Sequence, residues 1–191
     1  GLGLVPAPNC FASVFRDGTA LGVSTDLQKT TAAIATLSAA DAEAWTTMLS
    51  EFGQDAPHIF GLLGAPMPSL ATVKVLWTAW RALGTSRLLR LGRLLVFFPR
   101  GFFGRHFSSE KMKAMMAGWG LYMDFAPDVG GGALFSYLVS MAHQAFCMGV
   151  GAGGADTIIK AMVTVLKARG GELLLGERVA KVELDAAGRA T

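Results

Sequence analysis

Few residues in this 191-residue chain are of a type and spacing that could do chemistry. His143 stands in a long uncharged run, where it could line a substrate pocket; a histidine satisfied within a core fits the same pattern. Gly153 and Gly154 could let a backbone approach a ligand closely. The pair lacks the G-x-G-x-x-G spacing and does not follow a strand, so it is no phosphate loop. Cys10 and Cys147 are far apart in sequence and belong to no motif, which argues against a structural disulfide and for a reducing compartment or a chain indifferent to redox. With three His and two Cys and none at ligand spacing, no metal site is expected. No Ser/His/Asp set, carboxylate pair or phosphate loop points to hydrolysis or phosphoryl transfer.

Composition narrows the setting. The chain is 52% hydrophobic and only 16% charged, against about a quarter charged in a typical soluble domain. Such a chain covers its surface with something else or touches lipid. No basic n-region with a following apolar run opens it, so no signal peptide is expected. Gly1 reads as mid-protein and Thr191 as lying within a hairpin, and a cytoplasmic or peripheral-membrane location is expected.

The elements that would position these residues are legible in part. Residues 1–25 read as loop and strand, with Pro6 and Pro8 opposing any helix. Phe11 to Phe15, the turn Arg16-Asp17-Gly18-Thr19, and Ala20 to Ser24 predict a β-hairpin. Asp26 can cap a helix over Leu27 to Leu37. Ser38 and Asp41 resemble an acidic capping box, opening a helix from Ala39 to about Phe52. From Ala56 to Ser109 there is no Asp or Glu, while seven basic residues (Lys74, Arg81, Arg87, Arg90, Arg93, Arg100 and Arg105) stand among Trp, Leu and Phe. That pattern fits an interfacial surface meeting anionic lipid; helices with snorkelling arginines packed on the rest of the protein fit it too. The aromatics sit with aliphatics and not as isolated stacking platforms, which argues against nucleic acid. Ser108 or Ser109 starts a helix with Met112, Met115 and Met116 on one face, and Asp124 to Gly132 breaks the chain. The uncharged run from Val129 to Ala155 is long enough for a membrane span. Its seven glycines, its polar Ser136, Ser140 and Gln144, and its lack of a basic flank predict a buried helix instead.

The most organised stretch runs from Gly149 to Leu184. Gly153-Gly154 opens a helix with Asp156 in its first turn, where the dipole favours an acid. Ile158, Ile159, Met162, Val165 and Leu166 form one face, and Gly170-Gly171 supplies a left-handed stop. Glu172 to Leu175 and Arg178 to Leu184 read as strands, the second alternating, and Asp185 to Gly188 as a turn.

This succession of GG, helix, G-G, short strand and V-x-x-V resembles the corresponding segment of the phytoene dehydrogenase-like FAD-dependent oxidoreductases, within the flavin amine oxidase group. LGLVPAPNCFASVFRDGTAL followed by STDLQKTTAAIATLSAADAEAW resembles the start of that family's substrate domain, and Gly118 to Gly154, with PDVGGGA, continues in register. The resemblance covers most of the chain and is least diagnostic in the basic middle. It implies an α+β, mainly helical fragment: a substrate-binding region over 1–152, then over 153–191 a helix and strands returning to a Rossmann-like FAD-binding domain. It also implies FAD as cofactor and an apolar, polyene or lipid-like substrate. The N-terminal βαβ unit with the glycine fingerprint and the C-terminal flavin-contacting segment would lie in other parts of the same protein. In the family the valine of x-x-V-x-x-[IV] lies against the adenine, which places that contact at Val179; an ordinary sheet residue is the other reading of Val179. His143, Gly153 and Gly154 would belong to the substrate pocket. The implied reaction is hydride transfer from a substrate C–H to flavin in a dry apolar tunnel, where the cofactor carries the chemistry. The alternative, from a different class, is a non-catalytic helical protein that binds lipid or membrane through its basic aromatic middle.

Overall fold

A computed structural model describes residues 3–190, so the readings of Gly1 and Thr191 fall outside it. The architecture is mixed α and β and mainly helical. The chain divides into two compact units, one comprising Pro6–Gly149 and the other the described residues on either side of it. β1 (Leu4–Ala7) pairs with β4 (Met148–Gly151), at the two places where the chain passes between the units.

The larger unit begins with the expected hairpin. β2 (Asn9–Val14) pairs antiparallel with β3 (Ala20–Ser24), with Phe11 opposite Val23 and Val14 opposite Ala20. Alternation puts Cys10, Leu21 and Val23 into the core. Asp26 caps α1 (Leu27–Ala35) as its sequence position predicts, its carboxylate accepting from the Gln28 and Lys29 N–H groups.

α2 (Ala39–Leu63) is the central helix of this unit, and it runs eleven residues beyond the expected end at Phe52, through Pro57. Its buried residues Asp41, Trp45, Met48, Phe52, Asp55, Ala56 and Ile59 recur every three or four positions, so one stripe faces inward over the whole length. Continuous burial of that stripe outweighs the hydrogen bond that a proline removes. Trp45 is fully buried, and its Nε1–H donates to Gln144 Oε1 at 3.3 Å. Gln144 in turn donates to the Ser24 carbonyl at 2.9 Å, which ties α2 to the hairpin.

The capping box at the start of α2 is only half made. Ser38 Oγ accepts from the Asp41 N–H at 3.2 Å. The Asp41 carboxylate does not fold back; it accepts from the Ser108 and Ser109 N–H groups, each at 2.8 Å, and from the Ser108 hydroxyl, also at 2.8 Å. These donors immediately precede α5 (Glu110–Leu121), where Ser109 makes no side-chain cap of its own. The expected serine cap is therefore corrected: a carboxylate from α2 does that work, with the helix dipole favouring its charge. Met112, Met115 and Met116 of α5 are buried as their spacing predicts.

Between these elements, the basic middle forms α3 (Leu70–Leu94) and the short α4 (Pro99–Phe103). α3 is two helical segments joined at Gly84, whose φ of 76° and ψ of 166° belong to a region open essentially to glycine alone. The uncharged run forms α6 (Gly132–Phe146), which ends at Cys147 before β4. Among the described residues no helix is long and apolar enough to cross a membrane.

In the smaller unit, α7 (Asp156–Ala168) ends as its sequence dictates. Gly170 takes φ +79°, its N–H reaching the Lys167 carbonyl at 3.0 Å while the Gly171 N–H reaches that of Leu166 at 2.9 Å, a Schellman stop. The strands expected over 172–175 and 178–184 do not form; the only ladder contact described beyond α7 is the bridge between Leu184 and Ala190. A strand exists only through the hydrogen bonds of a neighbour, and among the described residues these two short segments have no ladder beyond that bridge.

The contact at Asp41 makes a testable demand. Burial would raise its pKa, but the Ser108 and Ser109 N–H groups and the Ser108 and Ser38 hydroxyls outweigh that and hold it below the ordinary carboxylate value. Asp41→Asn should lower stability at pH 7 by about 2 kcal/mol, through loss of charge-assisted hydrogen bonds to buried backbone. Because the folded pKa lies below the unfolded one, this stabilisation is complete above about pH 4 and lost as pH falls through the folded value. Urea unfolding of both proteins from pH 7 down to pH 3 should therefore show the gap between them closing in acid.

Candidate functional site

The larger unit holds a cleft of about 310 Å³ where α2, α3, α4 and α6 converge. The Gly84 turn matters here, because it sets the second segment of α3 so that Arg87, Leu91 and Leu94, at helical spacing, line the cleft beside α2. Met48, Leu91, Leu94 and Phe102 make an apolar wall, and Glu51, Asp55, Arg87, Arg90, Arg105, His106 and Tyr137 bring polar groups to it.

Arg87 is the most committed of these. Its Nε donates to Asp55 Oδ1, one Nη to Gln54 Oε1 and the other to the Glu51 carbonyl, all at 2.7 Å. The ion pair is largely buried, with side-chain exposures of 16% for Arg87 and 5% for Asp55. The Asp55 carboxylate raises the Arg87 pKa further, so the guanidinium stays charged. The other oxygen of Asp55 lies 3.5 Å from the Tyr137 hydroxyl. Burial, reinforced by the charges of Asp55 and Glu51, pushes the Tyr137 phenol well above its usual value, so it remains a neutral donor. These three groups form a buried polar network able to hold a shape. At the rim, His106 Nδ1 lies 2.9 Å from the Phe102 carbonyl, which as an acceptor fixes the proton on Nδ1.

The residues singled out from sequence lie elsewhere. His143 packs its ring on Trp119 and Phe11, at centroid distances of 4.9 and 5.6 Å, outside the cleft. Burial lowers its pKa, and the Val139 carbonyl opposes this without meeting hydrogen-bond geometry, so Nδ1 is buried without a partner. Its backbone carbonyl accepts from the buried Cys10 thiol at 3.2 Å; burial raises the pKa of that thiol, and both cysteines are free. Gly153 and Gly154 belong to the smaller unit and take φ +93° and +114° in the turn before α7. Val179, also in that unit, is 76% exposed and in no strand. Sequence reasoning missed Asp55, Arg87 and Tyr137. The signal available was an aspartate at a core position of the α2 stripe, since such a charge must find a partner.

A second, apolar cleft of about 500 Å³ lies beside α2 and the end of α6, lined by Leu49, Phe52, Ala56, Phe60 and Phe146. Among the described residues no group of three or more His, Cys, Asp or Glu could hold a metal ion. Val179, where the resemblance would put an adenine contact, is exposed and outside any strand. The start of α7 suits a pyrophosphate poorly, because Asp156 already occupies its first turn. No protein-family model matches this chain, and no curated protein matches it. The resemblance set out above therefore rests on the residues that carry it.

The buried pair gives a stability test with two arms. Arg87→Met strands the Asp55 carboxylate and should cost about 3 kcal/mol in urea unfolding. Adding Asp55→Leu to Arg87→Met should recover most of that loss, since an apolar pair of similar size replaces two charges. A double variant no more stable than Arg87→Met would show that the charge itself is required.

Proposed function

We propose that this chain is the substrate-domain portion of an FAD-dependent oxidoreductase of the phytoene dehydrogenase-like kind, taking hydride from an apolar molecule. The observation that supports this most is the smaller unit. α7 has no buried residue, and its Ile158, Ile159, Met162, Val165 and Leu166 stripe runs on into the exposed Leu173, Leu174 and Leu175. A helix with one apolar face followed by exposed leucines outside any strand suits a helix that covers a sheet. The other parts of the same protein would supply the sheet, together with the glycine fingerprint for the pyrophosphate. Bound FAD would supply the hydride acceptor. This chain would set the Val179 backbone at the adenine edge and keep water from an apolar substrate with its clefts. Purified full-length protein should absorb near 450 nm, a property of the cofactor itself (roughly). No flavin band even after incubation with FAD would reject this reading.

A separate observation favours the second reading, a lipid- or membrane-binding protein without catalysis. Leu70, Val73, Leu76, Trp77 and Trp80 of α3 are all exposed, beside the exposed Lys74 and Arg81. Tryptophans with lysine and arginine around an open apolar surface suit the interface of an anionic bilayer. In liposome flotation the protein should float with vesicles containing phosphatidylserine and sink as salt is raised; recovery in the bottom fraction at low salt would remove this reading.

A further inference from the structure

We infer that the cleft between α2 and α3 is a binding site for a small amphipathic carboxylate, its head held by Arg90 and Arg105 and its tail against the apolar wall. Three arginines line the cleft against two carboxylates, which leaves a positive excess. That excess is not spread evenly. Arg87 is fully engaged by Asp55, Gln54 and the Glu51 carbonyl, and cannot turn to a ligand without stranding the buried Asp55. Arg90 meets Glu51 only at 3.7 Å, with both side chains about half exposed. Such a pair contributes little and yields readily to a better acceptor.

Arg105 is freer still. Its only described partner is the Phe97 ring, with the guanidinium carbon 5.1 Å from the centroid. It makes no ion pair among the described residues, and the segment it belongs to, Ala56 to Ser109, contains no acidic residue to offer one. A guanidinium lying over an aromatic ring with no hydrogen bond or ion pair among the described residues keeps its N–H donors for a ligand, and such donors take a carboxylate in fork fashion. Beneath these two head-group donors lie Met48, Leu91, Leu94 and Phe102. A volume of about 310 Å³ is at the small end of ligand cavities, which fits a medium-chain or aryl acid better than a whole lipid.

This site does not rest on the flavin reading, and its test uses no flavin. Isothermal titration of the whole chain with decanoate at neutral pH should show saturable one-site binding that weakens as salt is added. Decanol, with the same tail, and inorganic phosphate, with charge alone, should each bind at least tenfold more weakly. Arg105→Gln and Arg90→Gln should each weaken decanoate roughly tenfold or more, as loss of one charge-assisted hydrogen bond predicts, while Arg105→Lys should fall between. Thermal unfolding should place all three variants within a few degrees of the parent, because neither side chain is buried. Absence of saturable decanoate binding would overturn the inference. Decanol binding as tightly as decanoate would mean an apolar cleft only, and phosphate binding as tightly would mean an anion patch only; either result overturns it. So would decanoate affinity unchanged in both glutamine variants.

Discussion

The stripe of α2 that faces the core carries two carboxylates, and the larger unit depends on how each is neutralised. A charge taken from water costs far more than a hydrophobic contact returns unless it is paired and hydrogen-bonded. Asp41, at one end of the stripe, finds the backbone before α5 and the Ser108 hydroxyl. Asp55, two-thirds of the way along, finds Arg87 from α3. Between them Trp45 and Gln144 join α2 to α6 and to the hairpin. Apolar packing alone would tolerate small shifts of one helix along another; these three polar contacts fix which residue meets which. The cleft inherits its shape from them, since Asp55 and Arg87 hold α2 and the second segment of α3 at a set spacing.

The smaller unit obeys the opposite logic. Its structure is local: a helix that begins after a glycine turn, ends in a Schellman stop, and leads to the Asp185 turn, whose carboxylate accepts from the Ala187 and Arg189 N–H groups at 2.9 Å. Each of these needs only neighbours in sequence. Among the described residues no side chain of its apolar stripe is buried, and the segments expected as strands form no ladder beyond the Leu184–Ala190 bridge. An amphipathic helix of thirteen residues with nothing buried gains little from propensity alone.

These two behaviours bear on the functional reading. A flavin oxidoreductase asks its substrate region for shape and dryness, not for an acid–base set, and the larger unit offers two clefts walled by Met, Leu and Phe with a rigid polar network in one. The exposed tryptophan surface of α3 lies on residues other than those lining these clefts.

Much of the fold was legible because its signals are local. The hairpin around Asp17-Gly18, the Asp26 cap, the methionine face of α5 and the Gly170 stop are each dictated by backbone preferences and side chains within a few residues. The same is true of the helical period in α2, though not of its length, because only long-range burial decides that a helix continues through Pro57. The candidate site was barely legible. His143, Gly153, Gly154 and Val179 stood out by type and spacing, yet a cleft is made by residues such as Glu51, Arg87, Arg105 and Tyr137 that sequence keeps far apart. The chain by itself determined where helices start and stop and which faces are apolar. Only the tertiary structure decided which buried charge meets which partner, since that choice depends on the distance between helices and on the dielectric around them, and neither is written in local sequence.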